Sequence, residues 1–151
     1  MHKKKDFKFR PGVLKGLKFL CKHNYYIFIV TNQAGIGKKI FTLDDFNQLH
    51  INIKREFQNK NIFINNVSFS PFHPNAKIKK YKKNSLTRKQ GNLMIERIKK
   101  EWHVNLLQSF MIGDKISDKI CAKKSGLYFE FAKDNFFLQA KSIVKKTNNC
   151  F

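Results

Sequence analysis

Three short polar clusters carry the chemistry this chain offers: Thr31-Asn32-Gln33, Thr87-Arg88-Lys89 and Gly113-Asp114-Lys115-Ile116-Ser117-Asp118. Thr31 and Asn32 bring a hydroxyl and an amide. The backbone N–H groups of a loop containing Gly35 and Gly37 follow directly. That set suits an anionic oxygen, most simply a phosphate. Asp114 stands just after an apolar run, where a carboxylate takes a hard cation such as Mg²⁺, which keeps most of its waters. Lysine and arginine beside it neutralise phosphate oxygens. Together the clusters describe metal-assisted phosphoryl chemistry. Each also has a plainer reading. Thr31 and Asn32 can be local caps, Asp114 a helix N-cap, and Arg88 and Lys89 solvated charge.

The elements that must position these clusters alternate between strand and helix. Apolar residues 26–30 predict a strand buried on both faces, as in parallel α/β sheets, with Thr31 and Asn32 just beyond its carboxyl end, where such sheets hold their ligands. Ahead of it, Pro11 opens a helix on which Val13, Leu14, Leu17 and Leu20 recur, ending near His23. Residues 31–41 are a loop. Thr42 is an N-cap with Asp44 and Asp45 in the first turn, and Leu43, Phe46, Leu49, Ile53 and Phe57 form a core stripe. Residues 67–69 are a second strand, broken at Ser70-Pro71-Phe72-His73-Pro74. Residues 75–89 are basic and predict an exposed loop. A helix resumes near Gly91, with Leu93, Met94, Ile98 and Trp102 on one side. Residues 109–112 form a short buried strand, followed by a helix that stops at Gly126 in a C′ position. Residues 127–131 are a last strand and 136–146 a last amphipathic helix. The class is α/β with a mostly parallel sheet.

At 151 residues the chain is one domain by length, and 42% hydrophobic residues with 16 Phe argue against disorder. No apolar run approaches a membrane span and no signal-type segment follows the basic start, so a cytoplasmic protein is expected. Cys21, Cys121 and Cys150 show no metal-type spacing and are expected as free thiols. The formal charge of +21 favours phosphorylated ligands and raises nucleic acid as an alternative partner. The lysines are spread along the whole chain, however, among many Asn, Ile and Phe, a bias that an AT-rich genome alone produces.

The order of motifs resembles the haloacid dehalogenase superfamily of phosphatases. More closely, it is similar to the D-glycero-D-manno-heptose 1,7-bisphosphate phosphatases and their histidinol-phosphate phosphatase relatives. The resemblance rests on Phe9-Arg10-Pro11-Gly12-Val13, Ile29-Val30-Thr31-Asn32-Gln33-Ala34-Gly35-Ile36, Phe41-Thr42, Ser70-Pro71-Phe72-His73-Pro74, Arg88-Lys89 and Phe110-Met111-Ile112-Gly113-Asp114-Lys115-Ile116-Ser117-Asp118. It implies a Rossmann-like three-layer sandwich and Mg²⁺-dependent hydrolysis of a sugar phosphate, a step in lipopolysaccharide precursor synthesis. Thr31 would act in catalysis by holding the transferring phosphoryl group with Asn32, and Lys89 by stabilising its charge. Gln33, Arg88 and Lys115 would contact substrate. Asp114 would bind Mg²⁺, with Asp118 as a supporting acid.

Two departures from that family follow. Its zinc loop, Cys-x-His then Cys-x-Cys, has Ser70 and Phe72, then Ser85 and Thr87, at the ligand positions. No structural zinc is expected, and the loop should be mobile unless packing replaces the metal. The family's Asp-x-Asp-Gly-Thr, which supplies nucleophile and general acid–base, has no counterpart in the sequence. The resemblance therefore implies a single domain lacking its first central strand, inactive alone, with Met1 an internal methionine of a longer protein through a misassigned start, a frameshift or a decaying gene. Open sheet edges of that kind also offer a route to dimers. The alternatives are a histidinol-phosphate or polynucleotide 3′-phosphatase relative, and a non-catalytic remnant that binds a phospholigand or nucleic acid.

Overall fold

The computed structural model describes residues 8–148. In chain order the elements are α1 (Val13–Lys22), β1 (Phe28–Asn32), α2 (Ala34–Gly37), α3 (Leu43–Gln58), β2 (Asn66–Ser70), α4 (Leu93–Glu101), β3 (Phe110–Gly113), α5 (Ile116–Lys124), β4 (Tyr128–Phe131) and α6 (Phe136–Asn148), with a 3₁₀ turn at Lys79–Tyr81. Local sequence accounts for several boundaries. Thr42 caps α3 through a reciprocal pair: its hydroxyl accepts the Asp45 N–H at 3.0 Å and the Asp45 carboxylate accepts the Thr42 N–H at 2.9 Å. Gly126, at φ 74°, stops α5 in the left-handed conformation.

The four strands form two separate parallel pairs rather than one sheet. β1 pairs with β2 in the register Phe28↔Asn66 to Asn32↔Ser70. β3 pairs with β4 in the register Phe110↔Tyr128 to Gly113↔Phe131. Helices lie on both faces of these pairs. Leu17 and Leu20 of α1, Ile53 and Phe57 of α3, and Ala140 and Val144 of α6 form one core, with Ile29 and Phe110 packed on it. Ile95 of α4, Met111, and Cys121 and Ala122 of α5 form the other, with Val30 packed on it. Neighbouring residues on β1 and on β3 thus face opposite cores, as strand geometry requires in a three-layer arrangement.

The first strand differs from the sequence expectation in two ways. It begins at Phe28 and takes in Thr31 and Asn32, because Tyr26, 53% exposed, packs edge-on against Trp102 instead of entering the ladder. Its residues are half-buried rather than buried on both faces. The reason is the break between the pairs: a cleft of about 1040 Å³ runs between β1 and β3. The single mostly parallel sheet expected from the sequence is therefore split. The 75–89 segment is also less open than its charge suggested. Ala76 and Thr87 are buried, and the Lys77 and Ile78 N–H groups donate to the Gly37 carbonyl at 2.8 and 2.9 Å. Among the described residues no helix is long and apolar enough to cross a membrane.

Candidate phosphate site

Lys89 is the hinge of the site. Its backbone and the Asn32 side chain clasp each other: the Lys89 N–H donates to Asn32 Oδ1 and Asn32 Nδ2 donates to the Lys89 carbonyl, both at 2.9 Å. The segment ahead of α4 is thereby fixed to the carboxyl end of β1. The Lys89 ammonium then donates to the Val30 carbonyl at 3.0 Å and meets Asp118 Oδ1 at 2.6 Å. One side chain so ties the ends of the two strand pairs together.

Asp118 is committed on both oxygens. Oδ2 accepts the N–H groups of Asp114 and Lys115, each at 3.1 Å, and so caps the start of α5. Oδ1 faces the ammonium and has no other partner among the described residues. Gly113 makes room for this carboxylate, since a Cβ there would overlap the Asp118 side chain. The helix-cap alternative for Asp114 is thereby corrected: Asp118 does that work, because its position at the third residue of the helix lets its carboxylate reach back to the cap. Asp114 itself is exposed, and its carboxylate forms no ion pair or side-chain hydrogen bond among the described residues.

The remaining sequence candidates fall around this centre. Thr31 lines the cleft with Lys89, Asp114 and Asp118, and its hydroxyl accepts from Gln33 Nε2 at 3.0 Å. Asn32, Gln33, Arg88 and Lys115 lie outside the cleft lining. Arg88 turns to the loop, donating to the Phe72 carbonyl at 3.3 Å, and among the described residues its side chain forms no hydrogen bond or ion pair with the other candidates. The charges of Lys38 and Arg88, after burial, lower the pKa of the nearby His73. Under the Lys89–Asp118 pair, burial pushes the Cys121 thiol up and keeps it protonated.

Two features escaped the sequence reading. Ser70, Thr87 and Ser85 form a hydroxyl chain, 3.1 Å from Ser70 to Thr87 and 2.8 Å from Thr87 to Ser85. These are three of the four positions where the resemblance puts zinc ligands. Here packing and hydroxyl bonds tie the loop, helped by Phe72 edge-on to Tyr81 at 5.6 Å. The signal was present in the small hydroxyl residues, but only folding shows that they meet. The second is His50, which lines the cleft with a buried Nδ1 that lacks a partner among the described residues. Burial lowers its pKa, and nothing in its helical position announced this.

The fold is the one seen in haloacid-dehalogenase-like phosphatases. Among solved structures, a HAD-like phosphatase from Mesorhizobium loti matches with a TM-score of 0.85 at 17% identity, over 97% of this chain and 78% of that one. The D,D-heptose 1.7-bisphosphate phosphatase from B. bronchiseptica, complexed with magnesium and phosphate, matches with a TM-score of 0.70 at 16% identity, over 92% of this chain and 81% of that one. A sequence model of the family described as Polynucleotide kinase 3 phosphatase matches residues 1–147, and the chain belongs to that family. Its curated relatives include the D-glycero-beta-D-manno-heptose-1,7-bisphosphate 7-phosphatase of Rhodopseudomonas palustris, 33% identical over 89% of this chain and 75% of the relative. The enzyme of the same name from Photorhabdus laumondii is 33% identical over 78% of this chain and 63% of the relative. The chain thus spans between about two thirds and three quarters of these relatives.

Proposed function

We propose that this chain is the phosphate-binding body of a sugar-phosphate phosphatase, with the 7-phosphate of D-glycero-D-manno-heptose 1,7-bisphosphate as substrate. The observation that carries the reading is Lys89, held by Asn32 and Asp118 so that its ammonium stands at the carboxyl end of β1 beside Thr31. Relatives named as heptose-1,7-bisphosphate 7-phosphatases support the choice of sugar. In this reading the Thr31 hydroxyl donates to one phosphoryl oxygen, once Gln33 has oriented it, and the Lys89 ammonium neutralises another. Asp118 does not touch the phosphate. It positions the ammonium and fixes the loop that carries Asp114.

The donor set suits Mg²⁺. Asp114 presents an unengaged carboxylate at a strand end, and Mg²⁺ needs only one or two carboxylates when phosphate and water complete its shell. When bound, the ion would neutralise phosphate charge. Asp118, with both oxygens engaged, supports the loop instead of binding the ion. No group of three or more His, Cys, Asp or Glu side chains that would hold an ion without phosphate occurs among the described residues.

Aspartyl-phosphate formation needs a free carboxylate in line with the phosphorus. In this reading Asp114 faces the ion and Asp118 holds Lys89, so neither is assigned as nucleophile and the part played by the described residues is phosphate binding. The test is calorimetric titration with inorganic phosphate in Mg²⁺. Loss of one charge-assisted bond in Lys89→Met should weaken binding by roughly 10- to 100-fold, and Asp114→Ala should remove the Mg²⁺ dependence. Unchanged affinity in both variants overturns the site. The family description favours a 3′-phosphorylated oligonucleotide as the second substrate reading. That reading requires affinity to fall steeply with salt, whereas the sugar phosphate should show a shallow dependence.

A further inference from the structure

Three lysines and two asparagines surround a hollow away from the phosphate site. It holds about 420 Å³ and lies between Lys15 and Lys18 of α1 and the turn Asn59-Lys60-Asn61 that follows α3, over a floor of Leu14 and Ile62. That turn leads toward the amino end of β2, which runs parallel to β1. Thr31 and Asn32 stand at the other end of β1. No residue of the hollow lines the cleft between β1 and β3.

The local structure explains the shape. Lys15 and Lys18 are one turn apart on a helix, so they share a face. That helix, VLKGLKFLCK, contains no acidic residue. The Lys15 ammonium rests over the Phe137 ring, 4.4 Å from its centroid. Lys18 and Lys60 form no ion pair among the described residues. A lysine after a helix commonly serves the last carbonyls, but here backbone N–H groups do so. Asn59 donates to the Arg55 carbonyl at 3.1 Å, Asn61 to Gln58 at 3.0 Å and Ile62 to Phe57 at 2.9 Å. The Lys60 side chain is thus not needed as a cap. Asn61 turns the chain at φ 57°, a left-handed conformation that asparagine tolerates. Ile62 is 1% exposed and closes the floor.

No acidic side chain lines this hollow. Three ammonium groups around one concavity repel one another, and an apolar floor weakens the screening by water. A multiply charged anion reverses the sign of that interaction, and the carboxamides of Asn59 and Asn61 supply further donors to its oxygens. The volume fits a small molecule. We propose that this hollow is a second anion site, which binds a small polyphosphorylated molecule through Lys15, Lys18 and Lys60. The proposal is independent of the phosphatase reading, since it uses neither Lys89 nor Thr31.

The experiment titrates the full chain with inorganic tripolyphosphate in about 0.15 M salt, which screens diffuse surface charge. Amide shifts in nitrogen–proton correlation spectra report each site separately. Asn59, Asn61 and Ile62 report the hollow, and Asn32 and Lys89 report the phosphate site. The amides of the hollow should titrate together to saturation. The double variant Lys18→Gln, Lys60→Gln should weaken that titration at least about tenfold, as expected for the loss of two charge-assisted contacts. A control, Lys141→Gln with Lys145→Gln, removes the same charge from exposed positions on α6 outside the hollow. It should change the titration less than about twofold, and neither variant should move the titration at Asn32 and Lys89. Three results overturn the proposal: no saturable shift at the hollow, equal weakening in both variants, or shifts confined to Asn32 and Lys89.

Discussion

The Lys89–Asp118 pair admits a quantitative test. Both side chains are nearly buried, at 11% and 4% exposure, with 2.6 Å between charged atoms. Replacing one partner leaves the other charge buried and unpaired, which in such settings costs about 3–5 kcal/mol. Asp118→Asn keeps an oxygen for the Asp114 and Lys115 N–H groups, so most of its cost should come from the stranded ammonium, eased by the Val30 carbonyl; about 3 kcal/mol is expected. Lys89→Met strands the carboxylate, but that keeps two N–H donors, and about the same cost is expected. The double variant removes both charges and should be destabilised by clearly less than the sum, giving a coupling of about 2 kcal/mol or more. With a urea m-value of about 1–3 kcal/mol per M, each single variant should lower the unfolding midpoint by about 1–3 M. Circular dichroism in urea for the four proteins completes the cycle. Single variants that cost under about 1 kcal/mol, or that simply add, would show that the pair is solvated and does not join the two strand pairs.

Three further outcomes follow from the same geometry. Gly113→Ala should destabilise the fold by about 2–4 kcal/mol, since its Cβ overlaps Asp118 and displaces the carboxylate from both N–H groups and the ammonium; Gly126→Ala, at positive φ with open space around it, should cost only about 1 kcal/mol. Thr87→Val leaves the fully buried Ser70 hydroxyl without its partner, so about 1–2 kcal/mol should be lost and limited proteolysis should speed up within residues 70–87. Burial raises the pKa of Glu130, but hydrogen bonds from Gln139, Lys146, Tyr128 and Lys133 outweigh it and hold the carboxyl at about 2. A lowered folded-state pKa stabilises above the unfolded value near 4.5 and is lost as pH falls toward 2. Glu130→Gln should therefore flatten the stability–pH curve in that window, by about 2–3 kcal/mol before screening by the exposed lysines. An unchanged curve removes Glu130 as the anchor of α6 on β4.

The sequence by itself determined the five longer helices, because periodic apolar residues and caps act within one segment; the single turn of α2 (Ala34–Gly37) falls in what it read as a loop, since four residues carry no periodicity. The Thr42–Asp45 cap and the Gly126 stop were legible for that reason, as were the three polar clusters at the ends of strand-like runs. It also indicated the family, through residues such as Thr31, Lys89 and Asp114 whose types and order match the family's motifs. What only the tertiary structure decided were the relations across long separations. Asn32 meets Lys89, Ser70 meets Thr87, and Asp118 holds Lys89. Arg88, adjacent to Lys89 in sequence, turns away to the Phe72 carbonyl. The division of the strands into two pairs with a cleft between them belongs to the same class. A strand's own residues specify its extended form and its apolar faces, but its hydrogen-bonding edge is satisfied only by another segment, and which segment lies there is a property of the assembled fold.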